Sequence, residues 1–268
     1  MSIFVGNGQS TQKNRGIAHL KANIIVRIIM VIMFDGLFLY GIEETLGIHV
    51  ILSNLFWWTS LLLVITAYKY RRNWNVGEMP WKYLFLTFLF FGIRELGHLF
   101  KSPVLDSIRY IFGIGSAIFL TSALILIYMK LYKRKITSKP MSFIPFIFVL
   151  VFPILLIYLY FSGMKTETIK NIFFNLENII WMIGGSITVY TTYRLGTKST
   201  GDFVHVFMFF QFAAIFAILW KFLGVIGTIS CPIPYSIREL METLFGVCAI
   251  ISVYVLEKML RKLSRHIS

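Results

Sequence analysis

Residues 107–135 read SIRYIFGIGSAIFLTSALILIYMKLYKRK, a long apolar run that ends in a basic cluster. The twenty residues 110–129 carry no charge, and four of the next six are Lys or Arg. At a rise of about 1.5 Å per residue, a helix of twenty residues crosses a hydrocarbon core of about 30 Å. The run therefore predicts a transmembrane helix whose basic end lies at the membrane surface.

The same pattern recurs along the chain, which has 268 residues and is 57% hydrophobic and 14% charged. A soluble domain is roughly 45–50% apolar and about 25% charged, so this composition argues against a soluble protein. Short polar gaps between the apolar stretches favour neighbours that run in opposite directions. We predict an all-α integral membrane protein with eight transmembrane helices arranged as four antiparallel hairpins. The predicted spans are residues 23–42, 48–69, 81–101, 107–129, 142–162, 175–194, 203–225 and 236–257.

The distribution of basic residues between the gaps predicts the orientation of the spans. With both termini on one side, that side carries 19 Lys and Arg and 3 acidic residues, against 7 and 9 on the other. Cytoplasmic loops of membrane proteins are enriched in Lys and Arg, so both termini are expected in the cytoplasm of a cell-membrane protein. Residues 1–22 are then an N-terminal tail, 23–257 the transmembrane domain and 258–268 a basic C-terminal tail. This bias also accounts for the formal charge of +14, and no nucleic-acid partner is expected.

Ionisable side chains inside the spans are candidates for function, because each costs about 2.5–3.5 kcal/mol at the centre of the membrane. In the predicted topology they gather in the extracytoplasmic half. The candidate ligand-binding residues are Asp35, Arg94, Glu95, His98, Glu177, Arg238, Glu239 and Glu242. The alternative is that these side chains neutralise one another as a structural ion-pair network.

Two basic residues in the spans carry more specific expectations. Arg94 is expected to contact a carboxylate on another helix, with Glu177, Glu239 and Glu242 as the candidates, because an unpaired guanidinium is costly in lipid. Lys221 lies near the end of the seventh span and is expected to extend its ammonium group toward the headgroups.

Glu95 and His98 have the Glu-x-x-His spacing that carboxylate-bridged metal sites use in helical bundles. Those sites need the motif twice together with two further glutamates, and here it occurs once. The sequence therefore names no cofactor. A membrane-embedded, metal-dependent enzyme or redox protein that uses Glu95 and His98 is the alternative function.

In its hydropathy layout alone, the chain resembles the multi-helix membrane sensor modules of prokaryotic signalling proteins. The charged residues in the spans and this resemblance favour a protein that binds a small ligand or ion, as a sensor, a transporter or a subunit of a larger complex. The expected partners are the lipid bilayer, a small-molecule or ion ligand, and partner subunits in the membrane.

Overall fold

The computed structural model describes residues 46–74, 76–97, 102–133, 143–229 and 235–267. This part of the chain is almost entirely helical and contains no strand. The helices are α1 (Leu46–Tyr68), α2 (Met79–Leu96), α3 (Pro103–Tyr128), α4 (Ile144–Phe161), α5 (Thr166–Lys198), α6 (Asp202–Ile229) and α7 (Tyr235–Ile267). A short 3₁₀ turn (Arg71–Asn73) follows α1, and a π-helical turn (Met129–Lys133) follows α3.

Each described helix overlaps one of the predicted spans, from the second span for α1 to the eighth for α7. Five helices, α3 to α7, contain stretches long and apolar enough to cross a membrane, with mean hydropathy between 1.4 and 2.6. In α1 the apolar stretch is shorter (Leu52–Tyr68), and α2 carries three charged residues, Lys82, Arg94 and Glu95, within 18 residues. The first predicted span, 23–42, lies outside the described residues, so the count of eight stays a prediction.

Six of the described helices pack in a closed ring, in the order α1, α2, α3, α5, α6, α7 and back to α1. The remaining helix, α4, packs mainly on α3 and touches α5 only slightly. Only 17% of the most apolar 18-residue stretch of α4 is buried, against 78% of the corresponding stretch of α3. Large apolar side chains such as Ile154 and Phe161 lie exposed on α4, an arrangement suited to a helix that faces lipid. The predicted arrangement as four hairpins stays a prediction.

Small residues bring α2, α3 and α5 close together. A Cβ atom on Gly184 would lie 2.9 Å from Thr121 Oγ1, and this hydroxyl donates a hydrogen bond to the Gly184 carbonyl at 3.0 Å. Ser116 Oγ donates to the Thr87 carbonyl at 3.0 Å. Close backbone approach and hydroxyl bonds between helices are typical of membrane helix packing, because burial of apolar surface gives little gain in lipid.

Five buried aromatic side chains form one layer inside the ring, which we call the aromatic floor. The rings come from α1, α2, α5, α6 and α7, one from each: Trp57, Phe91, Trp181, Trp220 and Phe245. The Phe245 centroid lies 4.8 Å from that of Trp57 and 5.2 Å from that of Trp181. It lies 5.4 Å from Phe91, in an edge-to-face arrangement. Aromatic pairs at these separations contribute about 0.5–1.5 kcal/mol each beyond their burial, so the floor holds five helices together.

Candidate functional site

Six buried ionisable side chains lie next to the aromatic floor and form what we call the charged layer. They are Arg94 and Glu95 on α2, Glu177 on α5, Lys221 on α6, and Glu239 and Glu242 on α7, each at most 3% exposed. Phe91 precedes Arg94 by three residues and Phe245 follows Glu242 by three, spacings that place each pair on one helix face. The charged layer therefore lies one helical turn from the aromatic floor.

Arg94 is the centre of the charged layer. Its Nε donates to Glu177 Oε1 at 2.7 Å, and its Nη1 donates to Glu242 Oε1 at 3.2 Å and also to Glu95 Oε1. The guanidinium carbon lies 4.7 Å from the ring centroid of Trp220 in the floor. A guanidinium suits this position because its five donors lie in one plane that matches several carboxylates at once. The prediction that Arg94 contacts a carboxylate on another helix is confirmed for Glu177 and Glu242.

Glu177 binds two cations, because its second oxygen, Oε2, lies 2.8 Å from Lys221 Nζ. The Lys221 ammonium also lies 3.7 Å from the ring centroid of Trp220. The prediction that Lys221 extends toward the headgroups is wrong, since the side chain is 3% exposed. A buried carboxylate and an aromatic face compensate the ammonium inside the bundle, so it has no need to reach the membrane surface.

Two further contacts extend the charged layer toward α1 and the start of α7. Ser53 Oγ on α1 donates to Glu95 Oε2 at 3.2 Å. Arg238 Nε lies 3.6 Å from Glu239 Oε1, and the Arg238 side chain is 34% exposed. Arg238 therefore lies at the edge of the layer, whereas Glu239 is buried within it.

A rim of partly exposed charges lies beside the layer at the starts of α3 and α5. Asp106 Oδ1 lies 3.8 Å from Arg109 Nη2, and Asp106 Oδ2 lies 3.2 Å from Lys170 Nζ. These side chains are 12–29% exposed, so water screens them more than the members of the charged layer.

Gly113 gives α3 its part in the site by leaving room for the ion pair. A Cβ atom at this position would overlap Glu177 Oε1 and lie 3.1 Å from Arg94 Cδ. The Gly113 carbonyl accepts a hydrogen bond of 3.0 Å from Trp181 Nε1 of the aromatic floor. Only glycine fits between the two layers at this point.

The structure brings together most of the residues that the sequence singled out. Arg94, Glu95, Glu177, Glu239 and Glu242 lie in the charged layer and Arg238 at its edge, while Asp35 and His98 lie outside the described residues. Sequence reasoning left Lys221 out of the site. One feature of the sequence indicated Lys221. It is an ionisable residue in the span after that of Glu177, near the same predicted end of the bundle.

The described residues contain no group of three or more His, Cys, Asp and Glu side chains arranged to hold a metal ion. Glu95 instead bonds to Arg94 and Ser53. Because His98 lies outside the described residues, the metal site of Glu95 and His98 stays a prediction.

The charged layer contains four carboxylates and two basic groups. It presents charged donors and acceptors in fixed positions within an apolar bundle, an arrangement suited to binding.

No protein-family model, curated protein or solved structure matches the chain.

Proposed function

We propose that the chain is a cell-membrane protein of eight spans that binds a small ligand or ion at the charged layer, in the extracytoplasmic half of the bundle. Five candidate membrane-spanning helices and the one-sided distribution of Lys and Arg support this topology. In it, residues 1–22 and 258–268 are cytoplasmic tails that flank the transmembrane domain 23–257, and α7 continues from 257 as a helix to Ile267.

One observation carries the proposal: six ionisable side chains from four helices are buried against each other inside the ring. Burying an ion costs several kcal/mol even after relaxation, and a buried ion pair often adds no more stability than apolar side chains of the same volume. An intramembrane ionisable residue is accordingly a candidate for function. Here three such residues, Glu95, Glu177 and Glu242, contact Arg94 directly.

The aromatic floor favours a sensor over a transporter. It lies across one side of the charged layer and joins five helices, so a ligand reaches the layer from the other side. A transporter would have to open this floor in each cycle. A sensor has only to move a helix.

Helix α7 offers a path for such a signal to partner subunits. It runs without a break from Glu239 and Glu242 to the basic segment that ends at Ile267. The distance from Glu242 to Ile267 is about 38 Å at 1.5 Å per residue. A ligand that shifts the charged layer would therefore move the far end of the same rigid helix.

The test of binding is Glu95→Gln, a substitution that keeps the shape and hydrogen-bonding capacity of the side chain. Arg94 retains Glu177 and Glu242, so we expect the thermal stability in detergent to stay near that of the wild type. Ligand that co-purifies with the wild type, identified by native mass spectrometry, should be lost, because Glu95 contacts Arg94 and the loss of its charge changes how the guanidinium is held. His98→Ala is expected to behave in the same way.

Glu167→Gln is the matched control, because Glu167 lies on α5 with its side chain 67% exposed. It should keep the ligand. If Glu95→Gln melts the protein and no ligand or metal is found with the wild type, the charged layer is structural and the proposal fails.

The topology is tested separately, with a C-terminal reporter and with labelling of Cys231 in a Cys248→Ser background. We expect a reporter that is active in the cytoplasm and labelling of Cys231 from outside the cell. A reporter active only outside the cell would overturn the orientation.

A further inference from the structure

A small cavity of about 30 Å³ lies beside the charged layer, bounded by α2, α3, α5, α6 and α7. A water molecule needs about 10–15 Å³ of such volume. The cavity therefore admits roughly two or three atoms of water size, enough for the two oxygens of a carboxylate.

The charges that line this cavity are unequal in sign. Among the described residues that line it, four are basic, namely Arg94, Arg109, Lys221 and Arg238, and one is acidic, Glu242. The hydrogen bonds of Arg94 use Nε and Nη1, and none of them uses Nη2. Of the charged layer, Arg94, Lys221 and Glu242 line the cavity, whereas Glu95, Glu177 and Glu239 do not.

Asn178 adds a neutral donor to the same wall. The residue is 1% exposed, lines the cavity, and its Nδ2 has no hydrogen-bond partner among the described residues. A buried amide donor without an acceptor is unfavourable, and such groups in native proteins are usually satisfied by a partner. Asn178 Nδ2 can therefore donate to an acceptor oxygen that enters the cavity.

We propose that this cavity binds the carboxylate group of a small organic acid, with Asn178 as a donor and Arg94, Arg109, Lys221 and Arg238 as the surrounding cations. The proposal rests on the proposed function, because it names the ligand class of the same site. A planar carboxylate fits the fork geometry of guanidinium groups. Its two oxygens also fit the small volume better than the four oxygens of a phosphate.

The carboxylate has two sources, a free short-chain acid or a fatty acid from the bilayer. Titration of the detergent-solubilised full chain with sodium acetate, and in a second arm with sodium oleate, distinguishes them by calorimetry. Binding of both supports a free acid, and binding of oleate alone supports a fatty acid. Inorganic phosphate and tetramethylammonium chloride are the comparison probes.

Gly224→Val is the variant that fills the cavity. Gly224 lines the cavity, and a Cβ atom there would make ordinary contacts, 3.8 Å from Phe174 Cζ and 3.9 Å from Asn178 Nδ2. We expect binding at least about tenfold weaker, or about 1.4 kcal/mol, because the valine side chain takes up space that the carboxylate needs. Gly227→Val, one turn along α6, is the matched control because no atom of the described residues lies within 4 Å of its Cβ position. Its affinity should stay near that of the wild type.

Asn178→Leu provides a second variant that removes the donor and should weaken carboxylate binding in the same way. Equal affinity in Gly224→Val and Gly227→Val would overturn the proposal. So would binding of phosphate or tetramethylammonium in preference to both carboxylates. If a ligand of another class co-purifies with the wild type, the carboxylate is wrong and the binding function stands. If no ligand of any class is found and Glu95→Gln melts the protein, both fail.

Discussion

The charged layer and the aromatic floor lie one helical turn apart on the same helices, but different forces hold them together. Each ring of the floor buries a large apolar surface, and its contacts with other rings depend little on any single partner. Each ion of the charged layer depends on a neighbour of opposite charge, as Arg94 depends on Glu177 and Glu242. The aromatic floor can account for the assembly of the ring of helices. The charged layer adds little stability, but each of its ions needs a partner of opposite charge.

The largest expected effect is that of Arg94→Met, which keeps the length of the side chain and removes its charge. Glu95, Glu177 and Glu242 all contact Arg94, so the substitution leaves buried carboxylates without their main cation. We expect a loss of about 3–5 kcal/mol in the free energy of unfolding, measured in mixed micelles.

Arg194→Met is the control for this substitution, because Arg194 lies exposed on α5. Its unfolding should match the wild type within error. Equal losses in the two variants would mean that burial does not distinguish the charged layer from surface charge.

The sequence predicted the positions of the described helices and most of the residues that the structure buries in the charged layer, because both depend on local patterns. Runs of apolar residues determine where helices such as α3 lie, and the cost of burying a charge indicates that Arg94 faces the interior. The helices α1 and α2 were predicted in the same way, from apolar runs, although α2 contains three charged residues.

The partners of each side chain could not be predicted from the sequence. Whether Lys221 reaches the membrane surface or Glu177 depends on how α5 and α6 are rotated against each other. That rotation is set by packing between helices, and the pattern along one helix does not contain it. The ring that leaves α4 outside is another such feature, since α3 and α4 are both apolar enough to cross a membrane, with mean hydropathies of 2.1 and 2.6.

A smaller effect is expected from Gly113→Ala, which tests the contact between the two layers from the side of α3. The added methyl group would overlap Glu177 Oε1 and force the ion pair apart. Overpacking of this kind costs about 1–3 kcal/mol. Gly196→Ala is the control on α5, where the described part of the chain places no atom within 4 Å of the Cβ position, and it should be neutral or stabilising by up to about 1 kcal/mol. If chemical unfolding gives the same result for both, Gly113 is not required for the ion pair to fit.

Substitutions that keep most of the side-chain volume compare the two layers directly. Phe245→Leu in the floor should cost less than about 3 kcal/mol, because the leucine keeps most of the buried apolar surface and loses only the ring contacts. Glu177→Gln in the charged layer should cost more, although it changes the shape even less, because it removes the charge between Arg94 and Lys221. Thermal unfolding of both variants in the same detergent shows which substitution loses more stability. The reverse order would show that the charged layer tolerates substitution as an apolar core does.

The smallest effect concerns an ion pair outside both layers. Lys262 Nζ lies 3.5 Å from Asp202 Oδ2, with side chains 58% and 53% exposed, so water already solvates both groups. Exposed pairs of this kind contribute about 0–1 kcal/mol. We expect Lys262→Ser to lower the free energy of unfolding by an amount at the low end of that range.

The dependence of these losses on salt concentration is a second test. At about 1 M salt the Debye length falls to about 3 Å, which screens an exposed pair but has little effect on a buried one. Adding salt should therefore remove the small difference between Lys262→Ser and the wild type, and leave the much larger difference between Arg94→Met and the wild type almost unchanged. If salt reduces both differences by the same fraction, water reaches Arg94 and Glu177 as freely as it reaches Lys262, and the contrast between a dry charged layer and a solvated surface is wrong.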